Sequence, residues 1–130
     1  MNTLEFRFAF FSRNFDKSVH FYQDFLGLGY LAGWDRPDGK GALLSVSGNA
    51  VIEIYGAAQG ESYEGPVPQA INLALQLENT QAVEECYTRL TRMGANLSGP
   101  PEHRAWGHYS FIVYDPDQIP IHLYCEVASN

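Results

Sequence analysis

Hydrophobic and polar side chains alternate over several short segments, as in strands of a sheet that has one covered face. In residues 70–77 every second side chain is leucine or isoleucine, and small or polar residues separate them. Pro, Gly, Asn and Asp punctuate the chain between such segments and indicate turns. The pattern predicts strands over residues 4–11, 30–34, 42–47, 50–55, 70–77, 109–114 and 119–126.

Two other segments carry hydrophobic residues at helical spacing. Asn14 precedes the first segment and Asn79 precedes the second, and asparagine is a favoured residue at a helix N-terminus. Gly27 and Gly29 are expected to end the first helix and Gly94 the second. The predicted buried faces consist of residues 15, 19, 22 and 26 in the first helix and 83, 86, 87 and 90 in the second.

The two halves of the chain match at a constant offset of 65 positions, which pairs Asn14 with Asn79 and Gly29 with Gly94. Each half is predicted to run strand, helix, then two or three strands. We therefore predict an α+β fold of two βαβββ units, whose curled mixed sheets surround a groove. The units cover residues 1–57 and 69–130 of a single domain, joined by a linker at 58–68, because neither half alone can bury its sheet.

Composition and charge exclude several classes of protein. Of 130 residues, 45% are hydrophobic, which excludes a disordered chain, and the net charge is −7. That charge disfavours nucleic acid and anionic membrane surfaces as partners but suits a neutral or cationic small molecule. Two cysteines are not a disulfide framework. The N-terminus lacks the features of a signal peptide, and no apolar run is long enough for a membrane span, so we expect a cytoplasmic protein.

Strand alternation places polar and aromatic side chains together on the sheet face turned away from the helices. Tyr55 and Tyr124 on that face indicate a sheltered surface, as a small-molecule pocket needs. Trp106 precedes a predicted strand and is a candidate aromatic wall, although a core or rim position is equally compatible with the sequence. Four further side chains are expected on the same face: Arg7, Glu53, Asn72 and His122.

Two segments carry a resemblance to a known family. NFDKSVHFYQDFLGL at residues 14–28 and AWGHYSFIVYDPD at residues 105–117 resemble the helix and hairpin motifs of the glyoxalase / bleomycin resistance / dioxygenase family, the vicinal oxygen chelate superfamily. The resemblance implies the paired βαβββ fold and, as is usual in the family, a homodimer. The family usually has glycine where this chain has Gln118, so the tight turn after the second motif is in doubt.

The resemblance also implies where a metal would bind. Metal-using members carry four inward ligands, and the aligned positions here are Arg7, Glu53, Asn72 and His122. Only Glu53 matches, and a guanidinium has no lone pair to offer a metal. We therefore expect no metal cofactor, and we predict that Arg7 pairs with Glu53 in the space of the ion.

The preferred hypothesis is metal-independent binding of a small organic ligand in an aromatic groove, as in the drug-sequestering branch that the family resemblance implies. The alternative is a lyase or dioxygenase of the same superfamily with a divalent metal at a reduced site, Glu53 and His122, or with one of these residues as a base. The third hypothesis is a structural or regulatory protein with a vestigial groove. The expected groove residues are Arg7, Glu53, Tyr55, Asn72, Trp106, His122 and Tyr124.

Overall fold

The computed structural model describes residues 1–128, which fall into two compact units, Met1–Pro68 and a second that begins at Gln69. The first unit contains a four-stranded sheet in the order β1-β4-β3-β2. Strand β1 runs parallel to β4, and the other neighbours are antiparallel. Its elements are β1 (Phe6–Phe11), α1 (Phe15–His20) with a π-helical continuation (Phe21–Phe25), β2 (Gly29–Arg36), β3 (Gly39–Ser47) and β4 (Ala50–Gly56).

The second unit repeats this plan. Its sheet has the order β5-β9-β8-β6, with β5 parallel to β9 and β7 also paired with β8. Its elements are β5 (Leu73–Gln76), α2 (Thr80–Arg92), β6 (Asn96–Leu97), β7 (Glu102–His103), β8 (His108–Tyr114) and β9 (Pro120–Glu126). The prediction of an α+β fold with two curled mixed sheets is confirmed. The strand opposite β8 is split at Gly99-Pro100-Pro101, because proline has no N–H to donate to a ladder.

Both helices begin at the predicted asparagines. The Asn14 side chain accepts from the backbone N–H of Lys17 at 3.4 Å, and Asn79 accepts from Ala82 at 2.9 Å. The expected correspondence of Gly29 with Gly94 is wrong. Gly27, with φ +73°, ends the first helix as Gly94, with φ +76°, ends the second, whereas Gly29 opens β2. The offset of 65 therefore holds at the helix starts and fails at their ends, because the first helical segment is shorter.

Each unit buries the predicted apolar side of its sheet beneath its helix. In the second unit β9 alternates as expected, with Ile121, Leu123 and Cys125 buried and the residues between them half-buried. In the first unit Tyr22 and Ile54 are fully buried. No helix in the described residues 1–128 is both long and apolar enough to cross a bilayer.

Two predictions at strand starts are wrong. The first strand was predicted over residues 4–11, but Leu4 precedes β1 and is 85% exposed, and Phe6 is 66% exposed, so neither contributes to the core. Burial increases along β1 only toward its end, at Phe10, where the chain turns into α1. Similarly, β5 begins at Leu73 rather than at residue 70, since Ala70 has φ +57° and cannot continue an extended strand. Asn72 therefore lies just before β5.

The turn between β8 and β9 forms without glycine. Gln118 adopts φ +68°, the conformation that glycine usually supplies there. The buried Asp115 carboxylate holds the turn by accepting from the backbone N–H groups of Asp117 and Ile119, each at 2.8 Å. Two charge-assisted hydrogen bonds offset the strain at Gln118.

Candidate functional site

Arg7 and Glu53 pair on the open face of the first sheet. Glu53 lies opposite Ala9 in the parallel pairing of β1 with β4, and Arg7 lies two residues before Ala9 on the same face. Arg7 Nη1 donates to Glu53 Oε1 at 3.2 Å, and Arg7 Nε donates to Glu5. The Glu53 side chain is 12% exposed and that of Arg7 is 43% exposed. The structure therefore contains the pair that the sequence predicted.

The charged pair also affects the pKa of its neighbour Tyr55. Hydrogen bonds to Glu5 and then to Glu53 raise the pKa of Arg7, so the guanidinium stays protonated at any physiological pH. Burial raises the pKa of Tyr55, and the Glu53 carboxylate raises it further. The Tyr55 hydroxyl is therefore a neutral hydrogen-bonding group beside Glu53, which shares the Arg7 guanidinium with Glu5.

Phe11 connects Tyr55 to the segment that the sequence predicted as a linker. Its ring centroid lies 5.0 Å from that of Tyr55 and 4.9 Å from that of Tyr63, with which it stacks. The Tyr63 hydroxyl donates to the carbonyl of Pro66, and Arg13 donates to the carbonyl of Gly65 at 3.1 Å. Sequence reasoning missed Tyr63, because residues 58–68 show no periodicity that would place it on the sheet.

A cavity of ≈ 320 Å³ lies in the second unit, on the sheet face opposite α2. Strands β8 and β9 supply alternate side chains to it, and the end of β5 and the loop before β8 complete it. Four of the predicted site residues meet here: Asn72, Trp106, His122 and Tyr124. Ala74, His108 and Ser110 complete the lining.

Three aromatic side chains form one wall of this cavity. Trp106 Nε1 donates to His108 Nδ1 at 3.2 Å, and the His108 ring stacks on Tyr124 with centroids 4.2 Å apart and planes inclined by 17°. Since Nδ1 accepts, a neutral His108 carries its proton on Nε2. Trp106 is 68% exposed, so a large part of its indole is open to solvent.

His108 lies in a strand and lines the cavity, although it is not among the groove residues expected from the sequence. His108 is the first residue of β8, whereas the predicted strand begins at residue 109. From that position strand alternation directs its side chain to the same face as Ser110. Extending the predicted strand by one residue would have placed His108 in the site.

His122 is a neutral group in the cavity. Burial lowers its pKa, and the positive charge of Arg104 lowers it further. Arg104 is held by Ser110, which accepts from Nε through its hydroxyl at 2.9 Å and from Nη2 through its carbonyl at 3.2 Å. Arg104 also pairs with Glu102 at 3.1 Å. Sequence reasoning missed Arg104, since it lies between strands where no alternation applies.

The side chains present do not fit a family-type metal site. Arg7 occupies one ligand position and holds the Glu53 carboxylate that would be another. Asn72 offers only an amide oxygen, which leaves His122 as the remaining strong donor. Among residues 1–128 no group of three or more His, Cys, Asp or Glu side chains is arranged to hold a metal ion.

Comparison with known proteins identifies the family. The chain matches the Glyoxalase/Bleomycin resistance protein/Dioxygenase superfamily over residues 6–123. This protein therefore belongs to that superfamily, as its two sequence motifs indicated. No curated protein matches the chain.

Solved structures share the fold at low sequence identity. A glyoxylase/bleomycin resistance protein/dioxygenase domain from Frankia sp. EAN1pec superposes with a TM-score of 0.78 at 16% identity, covering 100% of this chain and 96% of that one. A lactoylglutathione lyase from Agrobacterium tumefaciens gives 0.71 at 17% identity, covering 96% and 95%. A glyoxalase family protein from Enterococcus faecalis gives 0.68 at 24% identity, covering 91% and 94%. At these identities the similarities show the fold alone, and the activity has to be inferred from the side chains of the site.

Proposed function

We propose that this protein binds a small organic molecule in the cavity of its second unit, without a metal. The observation that carries the proposal is the wall of Trp106, His108 and Tyr124, which faces a cavity of ≈ 320 Å³. Cavities of about 300–1,000 Å³ with aromatic walls and a few polar groups are typical of small-molecule sites.

The lining defines the chemistry of the ligand. Among residues 1–128 it contains no carboxylate, lysine or arginine, and its polar groups belong to Asn72, His108, Ser110, His122 and Tyr124. A neutral His122 can accept a hydrogen bond, and Asn72 can both donate and accept. We propose a planar, uncharged ligand with donors and acceptors at its edge, which stacks on the exposed indole of Trp106.

A thermal-shift screen of uncharged aromatic compounds tests this function, because a ligand that binds only the folded state raises the melting temperature. For a compound that binds, Trp106→Ala is expected to weaken binding by about 1–3 kcal/mol in calorimetry. Trp34→Leu, which removes a tryptophan from the first unit, is the matched control and is expected to leave the affinity unchanged. Equal affinity of the wild type and a folded Trp106→Ala variant would remove this wall from the site.

Metal independence is a separate part of the proposal, supported by the pairing of Arg7 with Glu53. Elemental analysis of protein purified without chelators is expected to give far less than one equivalent of any divalent transition metal. Stoichiometric metal, lost together with ligand binding in Glu53→Gln or His122→Gln, would favour the reduced metal site instead.

The lowered pKa of His122 favours one second candidate function, an enzyme of the lyase or oxygenase type. A neutral imidazole in a cavity can remove a proton from a bound substrate. For a compound that the cavity binds, turnover lost in His122→Gln with retained affinity would support catalysis. A wild-type protein that binds the compound but does not turn it over would support the binding function.

We further propose that the protein is a cytoplasmic homodimer. The exposed Leu4, Phe6 and Leu31 of the first unit support an interface with a second copy, and the free thiols of Cys86 and Cys125 support a reducing compartment. Sedimentation at tens of micromolar is expected to give the mass of a dimer. A monomer at that concentration would contradict the homodimer, and secretion of the protein would contradict the cytoplasmic location.

A further inference from the structure

A second cavity, of ≈ 390 Å³, lies in the first unit between helix α1 and the hairpin of β2 and β3. It is built from other elements than the ligand cavity proposed above, and it differs from that cavity in carrying formal charges. Six side chains of its lining bear on its chemistry: Phe15, Asp16, Tyr30, Trp34, Asp35 and Lys40.

Glycine backbone shapes the aromatic side of this cavity. Gly41 is the cross-strand partner of Trp34, and a Cβ atom added at Gly41 would lie 2.1 Å from the indole ring. A Cβ atom added at Gly33 would lie 1.6 Å from the Tyr30 hydroxyl oxygen. Both aromatic side chains therefore rest directly on glycine backbone. Any larger residue at Gly41 would displace the indole from the wall that it forms.

The charges of the cavity are unbalanced. Asp16 and Asp35 supply two carboxylates and Lys40 supplies one ammonium group. Within residues 1–128 none of these three groups forms a salt bridge shorter than 4 Å. Instead, Lys40 Nζ lies over the Phe15 ring, 5.2 Å from its centroid. Two cations of the chain thus already use ring faces here, because Arg36 Cζ also lies 5.8 Å from the centroid of the Trp34 ring, and Arg36 pairs with Asp38 at 3.4 Å. The lining itself carries two carboxylates against one ammonium group, so its own excess charge is negative.

We propose that this cavity binds a small planar organic cation. The Tyr30 ring provides stacking surface, and a bound cation would take the place of Arg36 over the ring of Trp34. Asp16 and Asp35 provide the counter-charge, and the net charge of −7 attracts cations toward the protein from a distance. The volume is sufficient for a drug-sized molecule. This site is separate from the proposed function, which concerns an uncharged ligand in the other unit.

The probe for this site is 9-aminoacridine, a planar tricyclic cation at neutral pH, and its binding to the full chain is followed by fluorescence anisotropy. Acridine-9-carboxylate, which has the same rings and a negative charge, is the control probe. The wild type is expected to bind the cation and not the anion, with affinity that falls as salt is added. Absence of binding of 9-aminoacridine at millimolar concentration, or equal binding of both probes, would overturn the proposal.

Variants locate the bound probe. The double variant Asp16→Asn/Asp35→Asn and the variant Trp34→Leu are each expected to weaken 9-aminoacridine binding by roughly tenfold. Glu61→Gln removes a carboxylate of the first unit outside the cavity and is expected to have no effect. Lys40→Met removes the competing cation and is expected to strengthen binding, which a merely misfolded variant would not do. Unchanged binding in the double variant, or loss of binding in Trp106→Leu, would place the probe elsewhere.

Discussion

Arg7 donates from Nη1 to Glu53 Oε1 at 3.2 Å. The residue directly opposite Glu53 in the pairing of β1 with β4 is Ala9, whose small side chain leaves room for this contact. The family resemblance of the sequence aligns both positions with metal ligands. A guanidinium that is permanently charged neutralises the carboxylate without any ion.

Replacement of the guanidinium is expected to free this carboxylate for metal. Arg7→His places an imidazole beside Glu53, and two strong donors bind divalent transition metals better than one. We expect Arg7→His to bind Zn²⁺ more tightly than the wild type in calorimetry. Arg92→His, which adds a histidine at the end of α2, serves as control. Equal zinc binding by both variants would show that Glu53 does not take part.

The lowered pKa of His122 gives the stability a dependence on pH. The unfolded chain takes up a proton near the ordinary value of 6.5, whereas the folded protein takes it up only at lower pH. The contribution of His122 to stability is therefore fully present above pH 6.5 and is lost as pH falls through the folded-state pKa. His122→Gln removes this dependence.

Urea denaturation at pH 7.5 and pH 5.5 measures this effect. The wild type is expected to lose more stability between the two values than His122→Gln does. Gln76→Ala, which changes an exposed residue of β5 without an ionisable group, is the control and should retain the wild-type difference. An identical loss in the wild type and His122→Gln would exclude a shifted His122.

The contact of Trp34 with Gly41 is measurable by a double-mutant cycle. Gly41→Ala places a Cβ atom where the indole ring lies, and overpacking of this kind typically costs about 1–3 kcal/mol of unfolding free energy. In a Trp34→Leu background the same substitution is expected to cost much less, because the ring is gone. Thermal or urea unfolding of the four proteins gives the coupling energy. A coupling near zero would show that the ring does not rest on Gly41.

The turn between β8 and β9 allows opposite changes in stability. Gln118→Gly relieves a left-handed backbone and is expected to stabilise by up to about 1 kcal/mol, whereas Gln118→Ala retains the strain. Asp115→Ala removes the acceptor of two backbone N–H groups and is expected to destabilise by about 2–4 kcal/mol. Asp115→Asn keeps an acceptor oxygen and should lose less. Urea unfolding checks all four, and a neutral Asp115→Ala would contradict this account of the turn.

Periodicity made the sheets and helices predictable, because each strand has one covered face and each helix one buried stripe. The alternation along β9 placed His122 and Tyr124 on the open face of the sheet. Asn14 and Asn79 fixed the helix starts through a local hydrogen bond that the sequence alone specifies. Features that depend on local chemistry were therefore anticipated correctly.

The remainder depends on contacts between residues distant in sequence or on conformations without a strong sequence signal. Arg104 reaches Ser110 from an irregular segment, and Tyr63 reaches Phe11 from a segment without periodicity. Ala70 adopts a positive φ that its residue type does not favour, so the start of β5 was misplaced. The cavity beneath α1 depends on which rings rest on glycine, which alternation cannot specify.

The position and sequence of strand β1 affect the tendency of the protein to aggregate. It is the end strand of its sheet and reads Phe-Arg-Phe-Ala-Phe-Phe, without proline or glycine. Short segments of this composition on a sheet edge tend to pair with identical segments of other molecules and to nucleate fibrils. Arg7 is the single charge in the segment, and like-charge repulsion between copies opposes their stacking in register. Arg7, which pairs with Glu53, is therefore expected also to oppose edge-to-edge association of β1.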